Sequence, residues 1–275
     1  MATTDIYHVA GSLTPAKPAL RFLGGAVDDG IQIDAFAAAR TAANDTKGTI
    51  TAWVNMPDGG GTYTIIGVGD ANAAEYIHFS FESGKLFAAC MDATVMQWDI
   101  NSTATALTPH KWQHVALVQD GVRPRMYVNG IEVAVTDTVT TDLTEWFKNL
   151  DGVDGGHIGA ADSIAGDAAL TQEYKGAIGA VKYWNTNLTA AQILADYDGV
   201  SNTKNLISHW NWEDNNYADI VSGHNGTLVG DVVACNRYSE FSSRMSFGTG
   251  IPVVADKVVC FADKGVGHAV VIQAA

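Results

Sequence analysis

Residues 111–133, KWQHVALVQDGVRPRMYVNGIEV, constrain this chain more than any other stretch. Asn129-Gly130 is a pair that tolerates positive φ at both central positions of a type I′ turn. Met126-Tyr127-Val128 and Ile131-Glu132-Val133 are therefore predicted to pair antiparallel in fixed register. Upstream, Trp112, His114, Ala116 and Val118 alternate with Gln113, Val115, Leu117 and Gln119, and the middle of the run is apolar on both faces. A strand buried on two sides belongs inside a layered structure.

The neighbouring sequence repeats the pattern. Residues 49–55, 63–68, 76–81, 85–91 and 96–100 read as short strands, with Ser83-Gly84 as a hairpin turn and the Gly-rich stretch 57–61 as a loop. Many short strands with Gly, Asn and Asp turns, and no periodic helices between them, favour an antiparallel sandwich over a parallel α/β fold. Residues 35–40 are Ala-rich and predict one helical turn. In 142–150, Leu143, Trp146, Phe147 and Leu150 fall at helical spacing and predict a short surface helix. Thr189 with Gln192 forms a capping box, and Ile193, Leu194 and Tyr197 give the helix that follows an apolar face before Gly199 ends it.

The central run resembles the W-x-H-V-A … Y-V-N-G core of laminin-G-like domains in the concanavalin A-like lectin/glucanase superfamily, matching at Trp112, His114, Val115, Ala116, Tyr127, Val128, Asn129 and Gly130. Further stretches fit the same family in order: Ala19 to Phe22 with Val27-Asp28-Asp29, then 48–54, then 174–178 leading to 181–185. The resemblance covers roughly residues 19–200. It implies an all-β fold, an antiparallel jelly-roll β-sandwich, shared by lectins, adhesion modules and some glycosidases.

On this reading residues 1–19 form an extended N-terminal arm punctuated by Pro15 and Pro18, residues 20–232 the sandwich, and residues 233–275 a C-terminal extension of two or three added strands. Residues 206–213 with Asp219 and 223–228 resemble a piece that in such domains precedes the first strand. Because first and last strands of a jelly roll are neighbours, that piece is expected to fill the same slot by circular permutation. The competing reading is the start of a truncated second repeat.

The 30 acidic and 16 basic side chains leave a net charge of −14, and no Lys/Arg cluster in the sequence matches a phosphate backbone, so nucleic acid and anionic membranes are excluded as expected partners. Cys90, Cys235 and Cys260 are too few for a disulfide framework and read as free thiols, with a Cys235–Cys260 bridge as the alternative. The N-terminal residues lack the basic start and apolar run of a secretory leader, which predicts synthesis in a cytoplasm, and no run is apolar and long enough for a membrane-spanning helix. The sequons at Asn44, Asn101, Asn187 and Asn225 then carry no glycan.

A glycosidase needs two carboxylates at set separation, and the E-x-D-x-x-E strand signature of the glucanase branch is absent. Glu213-Asp214 and Asp28-Asp29 are adjacent pairs whose side chains diverge on a strand. No G-x-S-x-G elbow supports a serine nucleophile, and the histidines lack zinc spacing. His114 reads as a packed, hydrogen-bonded core residue.

The resemblance implies calcium as the one candidate ion, with Asp28, Asp29, Asp154 and Asp162 as candidate ligands. Leu23 and Gly179, however, stand where the family carries acids. Of the seven tryptophans, Trp98 and Trp146 lie outside the matched motifs and are the candidates for an exposed sugar platform.

No catalytic residue, ligand-binding residue or metal-ligand set is assigned from the sequence. The expected function is a non-enzymatic structural or attachment module of a virion, such as a phage capsid decoration or tail protein. Its expected partners are its own copies in a homo-oligomer or capsid and tail proteins. The alternative is an extracellular carbohydrate-binding lectin, calcium-dependent, engaging cell-surface glycan; the third reading is a divergent glycosidase.

Overall fold

The structure, a computed structural model, describes residues 17–24, 28–57, 60–70, 74–161, 170–200, 202–213, 216–237, 257–260 and 270–273. Residues 17–237 form one compact unit of two stacked antiparallel sheets, the jelly-roll sandwich that the strand pattern predicts. The first sheet contains β1 (Lys17–Phe22), β3 (Gly48–Asn55), β8 (Trp112–Gln119), β9 (Pro124–Val128), β10 (Ile131–Val133), β13 (Gly176–Trp184), β14 (Leu206–Trp210) and β16 (Val233–Arg237). Their order is β10-β9-β8-β3-β13-β1-β16, with β14 also paired to β13.

The second sheet contains β2 (Gly30–Gln32), β4 (Thr62–Gly69), β5 (Tyr76–Glu82), β6 (Lys85–Asp92), β7 (Val95–Ser102), β11 (Val135–Thr140), β12 (Gly155–Ile158) and β15 (Thr227–Val229), in the order β11-β7-β6-β5-β4-β12-β2-β15. Helices α1 (Asp34–Ala43) and α2 (Ala190–Tyr197) complete the unit. A separate hairpin pairs β17 (Lys257–Cys260) with β18 (Val270–Gln273).

The hairpin at Asn129-Gly130 forms as read from the sequence: φ is 50° and 80° at the two residues, and Ile131 faces Val128. Gly130 is required a second time, because a Cβ there would lie 2.6 Å from Leu194 Cδ1 and 2.9 Å from its Cα. The turn therefore sets how closely α2 approaches. Asn129 also locks the turn to β8, accepting the His114 N–H on Oδ1 at 2.9 Å and donating its own N–H to the His114 carbonyl at 2.7 Å.

Strand β8 is buried on both faces. Val115 and Leu117 enter the core between the sheets with Ile50, Val54, Ile178, Phe79, Phe81 and Ile100, while Ala116 and Val118 face a smaller cluster with Trp184, Leu188 and Ile193 under α2. Each large side chain so buried contributes about 1.5–3 kcal/mol. The capping box holds as expected, with Thr189 and Gln192 exchanging both bonds.

Strands β1 and β14 share one edge of β13, Leu20 facing Ile178 and Trp210 facing Val181. The 206–210 segment thus lies in the same sheet as the first strand, and β15 carries the chain on to β2 in the other sheet.

Three expectations are corrected. The helix at 35–40 extends over Asp34–Ala43, with Phe36, Ala37 and Arg40 buried along one face of its first two turns. The surface helix at 142–150 is only a 3₁₀ turn, Phe147–Asn149; Trp146 is extended, and Trp146, Phe147 and Leu150 plug the core instead of forming a helical face. Trp98 and Trp146 are not exposed but fully buried, their rings stacked 6.3 Å apart, with Trp98 Nε1 donating to the Glu145 carbonyl at 3.0 Å. Both indoles fill volume that the sandwich needs closed.

Candidate functional site

The side chains that look most like chemistry prove structural. His114, 1% exposed, meets Asp196 Oδ2 of α2 at 3.1 Å; Thr51 donates to the same oxygen at 2.9 Å and Lys182 donates to Oδ1 at 2.5 Å. Burial alone would raise the Asp196 pKa, but the His114 hydrogen bond and the Lys182 charge hold it well below the usual carboxylate range. Burial pushes the His114 pKa down against the pull of Asp196. The one hydroxyl present donates to the acid and not to the histidine, so no nucleophile is activated. The cluster clamps α2 to the sheet, as expected for a packed, hydrogen-bonded His114.

Two of the predicted calcium ligands, Asp29 and Asp154, lie apart. Asp29 is buried, and both its oxygens are already used: Oδ2 accepts from Gly24 N at 2.8 Å and Oδ1 from Asp231 N at 2.7 Å. Asp154 precedes β12 while Asp29 lies beside its far end, since Ile158 faces Ile31. Four strand residues, about 13 Å, separate the two positions. Asp162 and Asp214 lie outside the described residues, and Glu213 is exposed.

A different acidic group stands where β5 begins and β6 ends. Glu75 and Glu145, 7% and 8% exposed, each keep a buried Oε2 with no hydrogen-bond partner. Burial and then the charges of Asp142 and Asp92 raise Glu145 to about 7. Glu75 is also raised, by burial first, although it accepts backbone bonds from Asp151 and Ala93. Among the described residues no group of three or more His, Cys, Asp or Glu is arranged to hold a metal. Each free oxygen could serve a calcium ion as a single carboxylate ligand, with backbone carbonyls and water supplying the rest of its shell.

The candidate binding surface is the outer face of the second sheet. Inward residues Ile77, Phe79, Leu86, Ala88, Trp98 and Ile100 alternate with outward Tyr76, His78, Phe87, Ala89, Asp99 and Asn101. Near β4 and β12 this face is covered by residues 159–161 and 170–175, with Thr64 N donating to the Gln172 carbonyl and Ala160 lying over Gly67. Over β6, β7 and β11 it is more open: Phe87, Gln97, Asp99 and Asn101 are half-buried and Thr136 and Thr138 exposed, with Tyr76 half-buried at the start of β5, whereas His78, Ser80 and Ala89 on the same face are buried.

Tyr76 and His78 stack with centroids 4.2 Å apart and planes 16° from parallel. Register places His78, Ala89 and Asp99 side by side on three adjacent strands, so the small Ala89 separates an aromatic pair from a polar group. In that group Asn101 Nδ2 donates to Asp99 Oδ1 at 3.2 Å and to Thr138 Oγ1 at 3.3 Å. Burial raises the Tyr76 pKa and the Asp99 charge adds to it; burial also raises Asp99. A depression of roughly 400 Å³ lined by Glu82, Lys85, Asn101, Thr136 and Thr138 continues the surface.

Apart from Asn101, noted only as a sequon, none of these residues stood out in the sequence. The signal was nonetheless present, since the alternation of YIHFSFE sends Tyr76 and His78 to the face opposite Ile77, Phe79 and Phe81.

The comparisons agree with this architecture. The family model described as the concanavalin A-like lectin/glucanases superfamily matches residues 24–194. No curated protein matches the chain in sequence. Among solved structures, the CBM40 of Ruminococcus gnavus IT-sialidase is similar with a TM-score of 0.54 and 15% identity, over 66% of this chain and 97% of that one. The same module bound to alpha2,3 sialyllactose gives 0.53 and 14% over equal shares. The K499G mutant of NanB sialidase from Streptococcus pneumoniae gives 0.50 and 19%, over 63% of this chain and 27% of that one. At such identities the likeness is one of fold.

Proposed function

The chain belongs to the concanavalin A-like lectin/glucanase superfamily, and from that premise we propose that it is a carbohydrate-binding module without catalytic activity, holding a glycan against the open outer face of its second sheet. The observation that carries this reading is the half-buried Tyr76 ring, backed by the buried His78 imidazole stacked on it, on the same face as the Asp99–Asn101–Thr138 group. An aromatic face desolvates the apolar face of a pyranose, while a carboxylate and an amide two strand spacings away, about 10 Å along the sheet, accept from and donate to hydroxyls of the same or the next sugar. The R. gnavus module bound to sialyllactose, on a similar fold, supports a glycan as the ligand class.

Neither the fold nor the comparisons support the part in a virus particle expected from the sequence, or assembly with capsid or tail subunits, so the glycan reading takes its place. The test is an array of neutral and acidic oligosaccharides followed by affinity measurement. Tyr76→Ala and Asp99→Asn are each expected to weaken binding about tenfold, which is about 1.4 kcal/mol. Absence of any bound glycan, or wild-type affinity in both variants, would overturn the proposal.

Calcium dependence is the second reading, favoured by the unpartnered Oε2 atoms of Glu75 and Glu145. The ion would supply positive charge that neutralises the acidic end and orders its loops.

A further inference from the structure

The opposite side of the molecule concentrates positive charge within an acidic protein. Lys17 and Arg237 face each other directly across β1 and β16, on the side away from Leu20 and therefore outward. Like charges paired across strands repel. The Arg237 guanidinium lies 3.5 Å from the centroid of Trp53, whose ring stacks on Tyr197 of α2 at 5.5 Å. Lys17 reaches the end of the same helix, its Nζ 3.6 Å from where a Cβ on Gly199 would be. Burial lowers Arg237 to about 10, and burial followed by the charges of Arg237 and Lys182 lowers Lys17.

The nearby acid cannot neutralise them. Asp196 has Oδ1 taken by Lys182 and Oδ2 by Thr51 and His114. Among the described residues neither Lys17 nor Arg237 has a carboxylate within ion-pair distance. A guanidinium held on an aromatic face keeps the N–H fork at its edge, and that fork matches a planar carboxylate or two oxygens of a sulfate or phosphate.

We propose that Lys17 and Arg237, positioned by Trp53, form a binding site for the oxyanion group of an acidic ligand, on the sheet opposite the glycan face. The anion bridges the two cations and removes their repulsion, with the Arg237 fork setting its orientation and Lys17 adding a point charge. The site shares no residue with the Tyr76 surface, so either proposal can fail without the other.

The experiment is a titration of the full chain with sodium sulfate, acetate and phosphate in turn, at ionic strength held constant with sodium chloride. The readout is the Trp53 indole and Arg237 Nε–H cross-peaks by NMR. The expected result is a saturable shift of both peaks with at least one oxyanion, and the arm with the lowest Kd identifies the favoured group. Arg237→Gln should abolish the shift of Trp53, Lys17→Gln should raise Kd about tenfold, and Arg125→Gln, on a distant strand, should leave it unchanged. Lys17 is exposed, so its variant remains informative even if Arg237→Gln is poorly folded. No saturable shift with any of the three anions, or a wild-type Kd in Lys17→Gln, would overturn the proposal.

Discussion

Replacing Asp196 by Asn keeps the shape of the clamp under α2 and removes its charge. The Asp196 side chain is 2% exposed, those of His114 and Lys182 1% and 11%, and all of its partners reach it from the first sheet. Without the carboxylate, the nearly buried Lys182 ammonium loses the charge it meets at Oδ1, and the new amide hydrogens face a donor. Breaking a buried pair by deleting one partner costs about 3–5 kcal/mol. At a urea dependence of about 3 kcal/mol per M, the unfolding midpoint should drop by about 1–2 M.

A second replacement separates the value of the pair from the cost of orphaning one member. Asp196→Leu with Lys182→Met should recover most of the loss, since apolar isosteres often match a buried ion pair. The pH dependence follows in sign. The folded-state pKa of Asp196 is depressed, so its contribution is fully present above the unfolded value near 4 and is lost as pH falls through the folded value. Below about pH 4, wild type should therefore lose stability more steeply than Asp196→Asn. Urea unfolding followed by tryptophan fluorescence reads both effects. A midpoint within about 0.2 M of wild type for Asp196→Asn would refute the clamp.

Gly130→Ala should destabilise by about 1–3 kcal/mol, because its φ of 80° disfavours a side chain and the Cβ would collide with Leu194; a thermal midpoint equal to wild type would contradict this. Glu145 has a folded-state pKa raised to about 7, so stability should decline as pH rises from about 4.5 to 7 and then level off. Glu145→Gln should flatten that slope, which a series of melts across this window would show. Calcium should raise the melting temperature of wild type in calorimetry and do so much less in Glu75→Gln; equal increments would remove Glu75 as a ligand.

Local signals were enough to read the strands, the two-faced burial of β8, the type I′ turn at Asn129-Gly130 and the capping box at Thr189. Each depends on period-2 alternation or on the φ preference of one or two residues, which neighbours in the chain already express. Residues 142–150 show where that reasoning fails. Their apolar spacing suits a helix, yet the side chains are needed as a plug between Trp98 and Tyr183, and tertiary packing overrode the local pattern. The same demand placed Trp98 and Trp146 in the core.

Both candidate sites depend on contacts distant in sequence. Asp99 shares a face with Tyr76 and His78 only because β5, β6 and β7 lie side by side, and Arg237 meets Lys17 only because strands from the two ends of the sandwich pair across an edge. A sequence tells which face a strand residue occupies; which strand stands next to it is decided by how the whole chain buries its apolar faces. The alternation therefore determined the layered architecture, and only the folded sheets determined which polar and aromatic groups share a surface.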